Sequence, residues 1–247
     1  TMKRLNVLFL GALILMAPLS AFAQLTILIN KQPYEFPRPV RLSSVLSVVA
    51  DSGDWYWPAA GVFNLNDATA EREKEAILSE LRKLLAQYEE GSNRHDALSG
   101  LYTQVASWTV ATRVEMPVSY TRARLYPEEN PMFQPGKYLL RLSGRPDVIH
   151  FSGVVEKPGA YRHSSGAVYT IANSVKHSAG ADNSTVYVID PMGNVHLKGA
   201  AYWNVDYAQI MPGSQIFVPI AGNFIGNTMD TLNQRIAHLA VHRILVQ

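Results

Sequence analysis

The chain has 247 residues and a mass of 27.4 kDa; at 47% hydrophobic and 17% charged it is too apolar for a disordered protein and long enough for two small cores. Lys and Arg number 22 against 20 Asp and Glu, and the two surplus charges, Lys3 and Arg4, sit at the very start. The balanced remainder excludes binding driven by counterion release from nucleic-acid phosphates, and the absence of cysteine excludes disulfides, thiolate metal sites, Cys nucleophiles and an acylated N-terminal Cys.

In chain order, Lys3 and Arg4 precede an apolar run, Leu5 to Leu19, interrupted only by Asn6, and then Ala21-Phe22-Ala23 and Gln24. A basic start, an apolar stretch and small residues at −3 and −1 read as a secretory signal peptide over residues 1–23, with the mature chain starting at Gln24. The run is shorter than the ~20 residues a membrane span needs. The expected destination is the periplasm.

Leu25-Thr26-Ile27-Leu28-Ile29 reads as a strand, followed by a turn and a short amphipathic helix through Leu42, Val45, Leu46 and Val49. Ala68 to Glu90 is helical, with Ile77, Leu81, Leu84, Leu85 and Tyr88 on one stripe and Asp67 or Thr69 placed to cap it. Gly91-Ser92-Asn93 breaks that helix, a second runs from His95 to about Thr112 through Leu98, Leu101, Val105 and Trp108, and Pro117 stops it. Phe133 to Leu142 is a turn leading into an alternating strand. Val148-Ile149-His150-Phe151 then opens a second series, with a short helix through Ile171 and Val175 and a closing turn and strand from Met211 to Pro219. Thr228 to Gln247 is expected as one amphipathic tail helix, with Met229, Leu232, Ile236, Leu239 and Val246 in a stripe.

The two series end alike, in Pro135-Gly136 and Pro212-Gly213, and a repeat at this spacing implies two copies of one module. The first copy is longer by about 44 residues, which places a helical insertion after Pro58. The expected class is α+β. Residues 24–145 form module one with a helical hairpin inserted at about 67–111, residues 146–222 form module two, and residues 223–247 form the amphipathic helix.

A strand, hairpin, short helix and returning strands are the economy of a β-grasp fold. The segments Gly153-Val154-Val155, Lys157-Pro158-Gly159-Ala160-Tyr161, Asp190-Pro191-Met192-Gly193 and Pro212-Gly213-Ser214-Gln215-Ile216-Phe217-Val218-Pro219 resemble the soluble-ligand-binding β-grasp (SLBB) domains of capsule export proteins. With the insertion and tail helix, the mature chain is similar to the GfcC family of capsule biosynthesis proteins, whose domains resemble two periplasmic domains of the polysaccharide exporter Wza. The resemblance implies a role in assembly or export of a group 4 (O-antigen type) capsule, with capsule export proteins such as a Wza-like outer-membrane exporter as partners. It implies no cofactor.

The sequence holds no phosphate-binding glycine loop, nucleophile elbow or HExxH. His238 and His242 share a helical face but have no carboxylate beside them, so a solvated surface is the simpler reading than a metal site. Glu128 and Glu129 point opposite ways in an extended segment, which disfavours a shared acid–base site. Alternation in Asp54-Trp55-Tyr56-Trp57-Pro58 puts Trp55 and Trp57 on one face, for core packing or for stacking on sugar rings. Arg113 and Glu115 are the only charges between Ala97 and Thr121. A guanidinium on an apolar element is held by a structural carboxylate or forms an anion site, here in a cleft between the helical hairpin and a sheet. The leading expectation is a non-enzymatic periplasmic accessory protein contacting export proteins through Leu232, Ile236, Leu239 and Val246. The alternative is a polysaccharide-binding or polysaccharide-modifying protein using Arg113, Glu115, Trp55 and Trp57.

Overall fold

A computed structural model describes residues 24–222 and 228–245, so the signal peptide expected at 1–23 and the tail position Val246 lie outside the described residues. In β1 (Leu25–Ile29) every second side chain is buried, and Asn30, at φ 55°, makes the tight turn into β2 (Gln32–Phe36). Asparagine tolerates this left-handed conformation, and its side chain also accepts from the Leu142 amide at 2.8 Å, which fixes the turn. Next come α1 (Leu42–Ser47) and β3 (Gly61–Asn64), then two long helices, α2 (Thr69–Leu85) and α3 (Asn93–Ser107). The Asp67 carboxylate accepts from the Thr69 amide at 2.8 Å at the start of α2, and the Ser92 hydroxyl from the His95 amide at 3.3 Å at the start of α3. The two-residue β4 (Thr112–Arg113), the short α4 (Tyr120–Leu125) and β5 (Gly136–Arg141) complete the first half. The second half has β6 (Val148–Gly153), β7 (Gly159–Arg162), α5 (Val168–Ala172), β8 (Thr185–Ile189), β9 (Val195–Gly199), β10 (Gln215–Val218) and α6 (Thr228–Ala240).

The architecture is α+β, with two five-stranded mixed sheets in the orders β2-β1-β5-β3-β4 and β7-β6-β10-β8-β9. Matched by position, the two orders are the same. In each sheet the last strand runs parallel to the first (β5 with β1, β10 with β6) and every other pairing is antiparallel. In the first half, residues 65–111 lie between β3 and β4. In the second, β8 and β9 are joined by the turn at 190–194, where Asp190 accepts from the backbone and side chain of Asn194.

Two apolar cores result. One lies under the first sheet, among Leu25, Ile27, Leu42, Leu46, Val62 and Leu140. The other joins the second sheet to α5, α6 and both long helices, with Ile77, Leu81, Leu98, Leu101 and Val105 packed among Ile149, Phe217, Leu232 and Ile236. The chain of the first half thus completes the core of the second. Gln104 of α3 donates to the Gly153 carbonyl and accepts from its amide, each at 2.9 Å. No side chain is possible at Gly153, because a Cβ would lie 2.0 Å from the Val218 carbonyl oxygen and φ is +94°.

The tail departs from the sequence expectation twice. Leu232, Ile236 and Leu239, expected to face a partner, are buried inside the molecule against α2 and the second sheet. Arg235 confirms the direction of docking, since it binds Glu73 at 2.7 Å and also Glu80, both on α2. The helix also ends at Ala240 rather than running on to the terminus. Beyond it the backbone pairs with the segment after α3, Ala111 donating to the His242 carbonyl at 3.0 Å and Ile244 to that of Thr109 at 2.9 Å. Amide groups that pair with a neighbouring strand are not available to an intrahelical ladder.

Candidate functional site

A cleft of about 400 Å³ opens where the two sheets meet. The first sheet contributes Gly61, Phe63, Arg113 and Arg141 to its walls, the link between the halves Arg145 and Asp147, the second sheet His150 and Gln215, and the chain beyond α6 Arg243. Arg113 therefore lines a cleft between the two sheets, closed by the tail, and not one between the long helices and the first sheet. The position follows from pairing: β4 holds Arg113 opposite Phe63 at the sheet edge, and the side chain reaches across to the other half.

The guanidinium of Arg113 donates to the Pro191 carbonyl at 2.8 Å and to that of Ala60 at 3.3 Å, tying the halves together through main-chain oxygens. Its backbone N–H donates to Nδ1 of His242 at 3.0 Å, which assigns that nitrogen as an acceptor and the imidazole as neutral. Burial pushes the His242 pKa down, reinforced by the Arg113 charge. Arg243 lies 4.3 Å above the Trp108 ring and donates to Gln215 Oε1 at 2.8 Å, with its pKa pushed down to about 10 by burial. Burial likewise lowers Arg141. His150 is held at about 4 by burial first and by Arg243 and Arg141 second, so it is neutral at pH 7.

Among the described residues, none of Arg113, Arg141 and Arg243 forms an ion pair with a carboxylate. Asp190 lines the cleft and favours the charge of Arg113, but its oxygens are taken by Asn194 and, at 3.4 Å, by His196. The result is a half-buried cavity with an excess of fixed positive charge and forked donors, suited to a carboxylate or phosphate group.

The other sequence candidates are not gathered here. Glu115 is exposed. Trp55 and Trp57 pack against the core under the first sheet, with Trp55 Nε1 donating to the Val49 carbonyl at 2.8 Å. Glu129 pairs with Arg122, and Glu128 is exposed. His238 is exposed. Sequence reasoning singled out Arg113 but missed Arg141, Arg243 and His150. Each stands on a different strand or on the tail, and only the strand pairing brings them together. Asn233 of α6 is buried, its amide exchanging two hydrogen bonds with the backbone of Ile220 at 2.8 and 3.0 Å.

Two family models cover the chain: capsule biosynthesis GfcC, N-terminal, over residues 23–145, and capsule biosynthesis GfcC C-terminal, over residues 163–245. The second match extends through α6. The chain is also similar to YjbG of Escherichia coli strain K12, a protein described as uncharacterized, at 28% identity over 191 residues, which are 76% of this chain and 77% of that protein.

Proposed function

The chain belongs to the GfcC family of capsule biosynthesis proteins, and from that premise we propose that it is a non-enzymatic periplasmic accessory factor in capsular polysaccharide assembly or export, working through contacts with export proteins. The observation that carries this reading is the repeat. Two sheets of one strand order, read here as two β-grasp modules of the SLBB kind, are joined by the Arg113 contacts and by the tail backbone, while the long helices and α6 pack on the second sheet. A pair of like modules in one chain presents two related surfaces, which suits a component that positions other proteins. Export rests on the basic start, apolar run and Ala21-Phe22-Ala23. The partner is an outer-membrane exporter of the Wza kind. With Leu232, Ile236 and Leu239 internal, that contact falls on the outer faces of the modules. The test is photo-crosslinking from exposed positions of the mature chain in capsule-producing cells, combined with deletion of the gene. Adducts with an exporter and lost surface capsule are expected; full capsule after deletion overturns the proposal.

A second reading is favoured by the arginine-lined cleft: it takes an acidic group of the polysaccharide or of a precursor. Titration with glucuronic-acid oligosaccharides, for wild type and Arg141→Ala, tests it. The Arg141 side chain makes no hydrogen bond or ion pair to a described residue, so its loss removes charge without removing a strut. Saturable binding weakened about tenfold is expected, which is the effect of one charge-assisted contact; flat titrations remove this reading and leave the first intact.

A further inference from the structure

The loop from β9 to β10 carries Tyr202, Trp203 and Tyr207, which are 85%, 76% and 79% exposed. Large aromatic side chains ordinarily gain by burial, and three so exposed within six residues mark a binding surface. The loop that displays them is firmly held. Asn204 accepts from the Ala201 amide at 2.9 Å and donates to the Ser184 carbonyl at 2.8 Å. Asp206 accepts from the Ala208 amide at 2.7 Å and pairs with Lys198 of β9 at 3.1 Å. Val168 at the start of α5 donates to Ala208, at 2.9 Å, from the other side. The loop lies so close on β9 that a Cβ at Gly199 would sit 1.8 Å from the Asn204 carbonyl oxygen. The rings are therefore presented by a preorganised frame, which lowers the ordering cost of binding.

We infer that Tyr202, Trp203 and Tyr207 form a stacking platform for the pyranose rings of a polysaccharide chain. This rests on the capsule reading above, but on a surface separate from the arginine cleft. The chemistry of the loop selects the occupant. One face of a pyranose is a set of C–H groups made electropositive by neighbouring oxygens, which matches the negative face of an aromatic ring. Its rim is hydroxyl groups, which match the phenol and indole N–H tips and the Lys198–Asp206 pair. Between β9 and β10 every exposed large apolar side chain is aromatic with a hydrogen-bonding tip. No exposed large aliphatic side chain stands among them, Val205 and Met211 being half-buried. Opposite charges on Lys198 and Asp206 also leave no net field to demand a charged ligand.

The experiment is affinity electrophoresis of the mature chain in gels containing purified capsular polysaccharide, with dextran gels alongside. Trp203 emission is followed in solution, Trp55 and Trp57 being half-buried and Trp108 buried. Retardation by the capsular polymer is expected, with Trp203→Ala and Tyr207→Ala each weakening it about tenfold and Trp203→Phe by threefold or less. The melting curves of these surface variants should match the wild type. Retardation by dextran as well supports recognition of pyranose faces in general. An unretarded wild type, or a Trp203→Ala protein retarded like the wild type, overturns the platform, as does loss of self-association on sedimentation in place of loss of sugar binding. These failures leave the deletion phenotype and the exporter adducts untouched, so they are distinguishable from failure of the proposed function.

Discussion

Leu81→Ala offers a sharp test of how the two cores are divided. Leu81 is covalently part of the first half, on α2, yet it is fully buried in the core of the second sheet and α6. Truncating a fully buried leucine loses the transfer free energy of the deleted atoms and leaves a cavity, together about 3–5 kcal/mol. For a chain of this size that corresponds to a fall in Tm of about 6–20 °C. Hydrogen exchange read by mass spectrometry then locates the damage. Amides of β6, β10 and α6 should exchange faster by the full destabilisation, while those of β1 and β5 change less. Leu46→Ala, equally buried but under the first sheet, should reverse the pattern. Acceleration in β1 and β5 by Leu81→Ala, or the same map for both variants, would refute the assignment of the long helices to the second core.

Asn233→Ala strands the amide and carbonyl of Ile220 in a buried place, and urea denaturation should show a loss of about 2–4 kcal/mol; a loss below 1 kcal/mol would mean that the backbone finds other partners. Ser214→Ala should be neutral or slightly stabilising in the same assay, because the buried Ser214 hydroxyl has no hydrogen-bond partner among the described residues. His150 is neutral in the fold with a pKa of about 4, below the unfolded value of 6.5, so the unfolded chain takes up its proton first as pH falls. Its contribution is complete above pH 6.5 and is lost between 6.5 and about 4. His150→Gln should flatten that part of the stability profile, and an unchanged slope would place the titration elsewhere.

The periodicities that identify α2, α3 and α6 report that one face of each is covered, and the structure agrees. Periodicity does not name the covering surface. That is why the stripe Leu232, Ile236, Leu239 read as a partner site although α2 and the second sheet already occupy it. The repeat was legible because the turns at Gly136 and Gly213, both at positive φ, demand glycine and so leave a mark in the sequence. Asn233 and Gln104 were not legible. Amides that clamp a backbone at long range carry no local pattern, and polarity alone assigns them to the surface. The aromatic signal was weighed at Trp55 and Trp57, where alternation is plain. Whether an aromatic is buried or displayed depends on how a loop is tied down, and for Tyr202 and Trp203 that is decided by the Asn204 anchor and the bare Gly199.

The sharing of one core by two halves bears on what a broken chain would do. The link at 143–147 is the natural place for a protease to enter, with Gly144, Arg145 and Asp147 exposed. In most tandem proteins a cut there releases two bodies. Here the N-terminal fragment would keep α2 and α3 locked between the second sheet and α6, and the C-terminal fragment could not shed them without opening its own interior. The nicked protein would migrate as two bands under denaturing conditions and as one particle in native buffer.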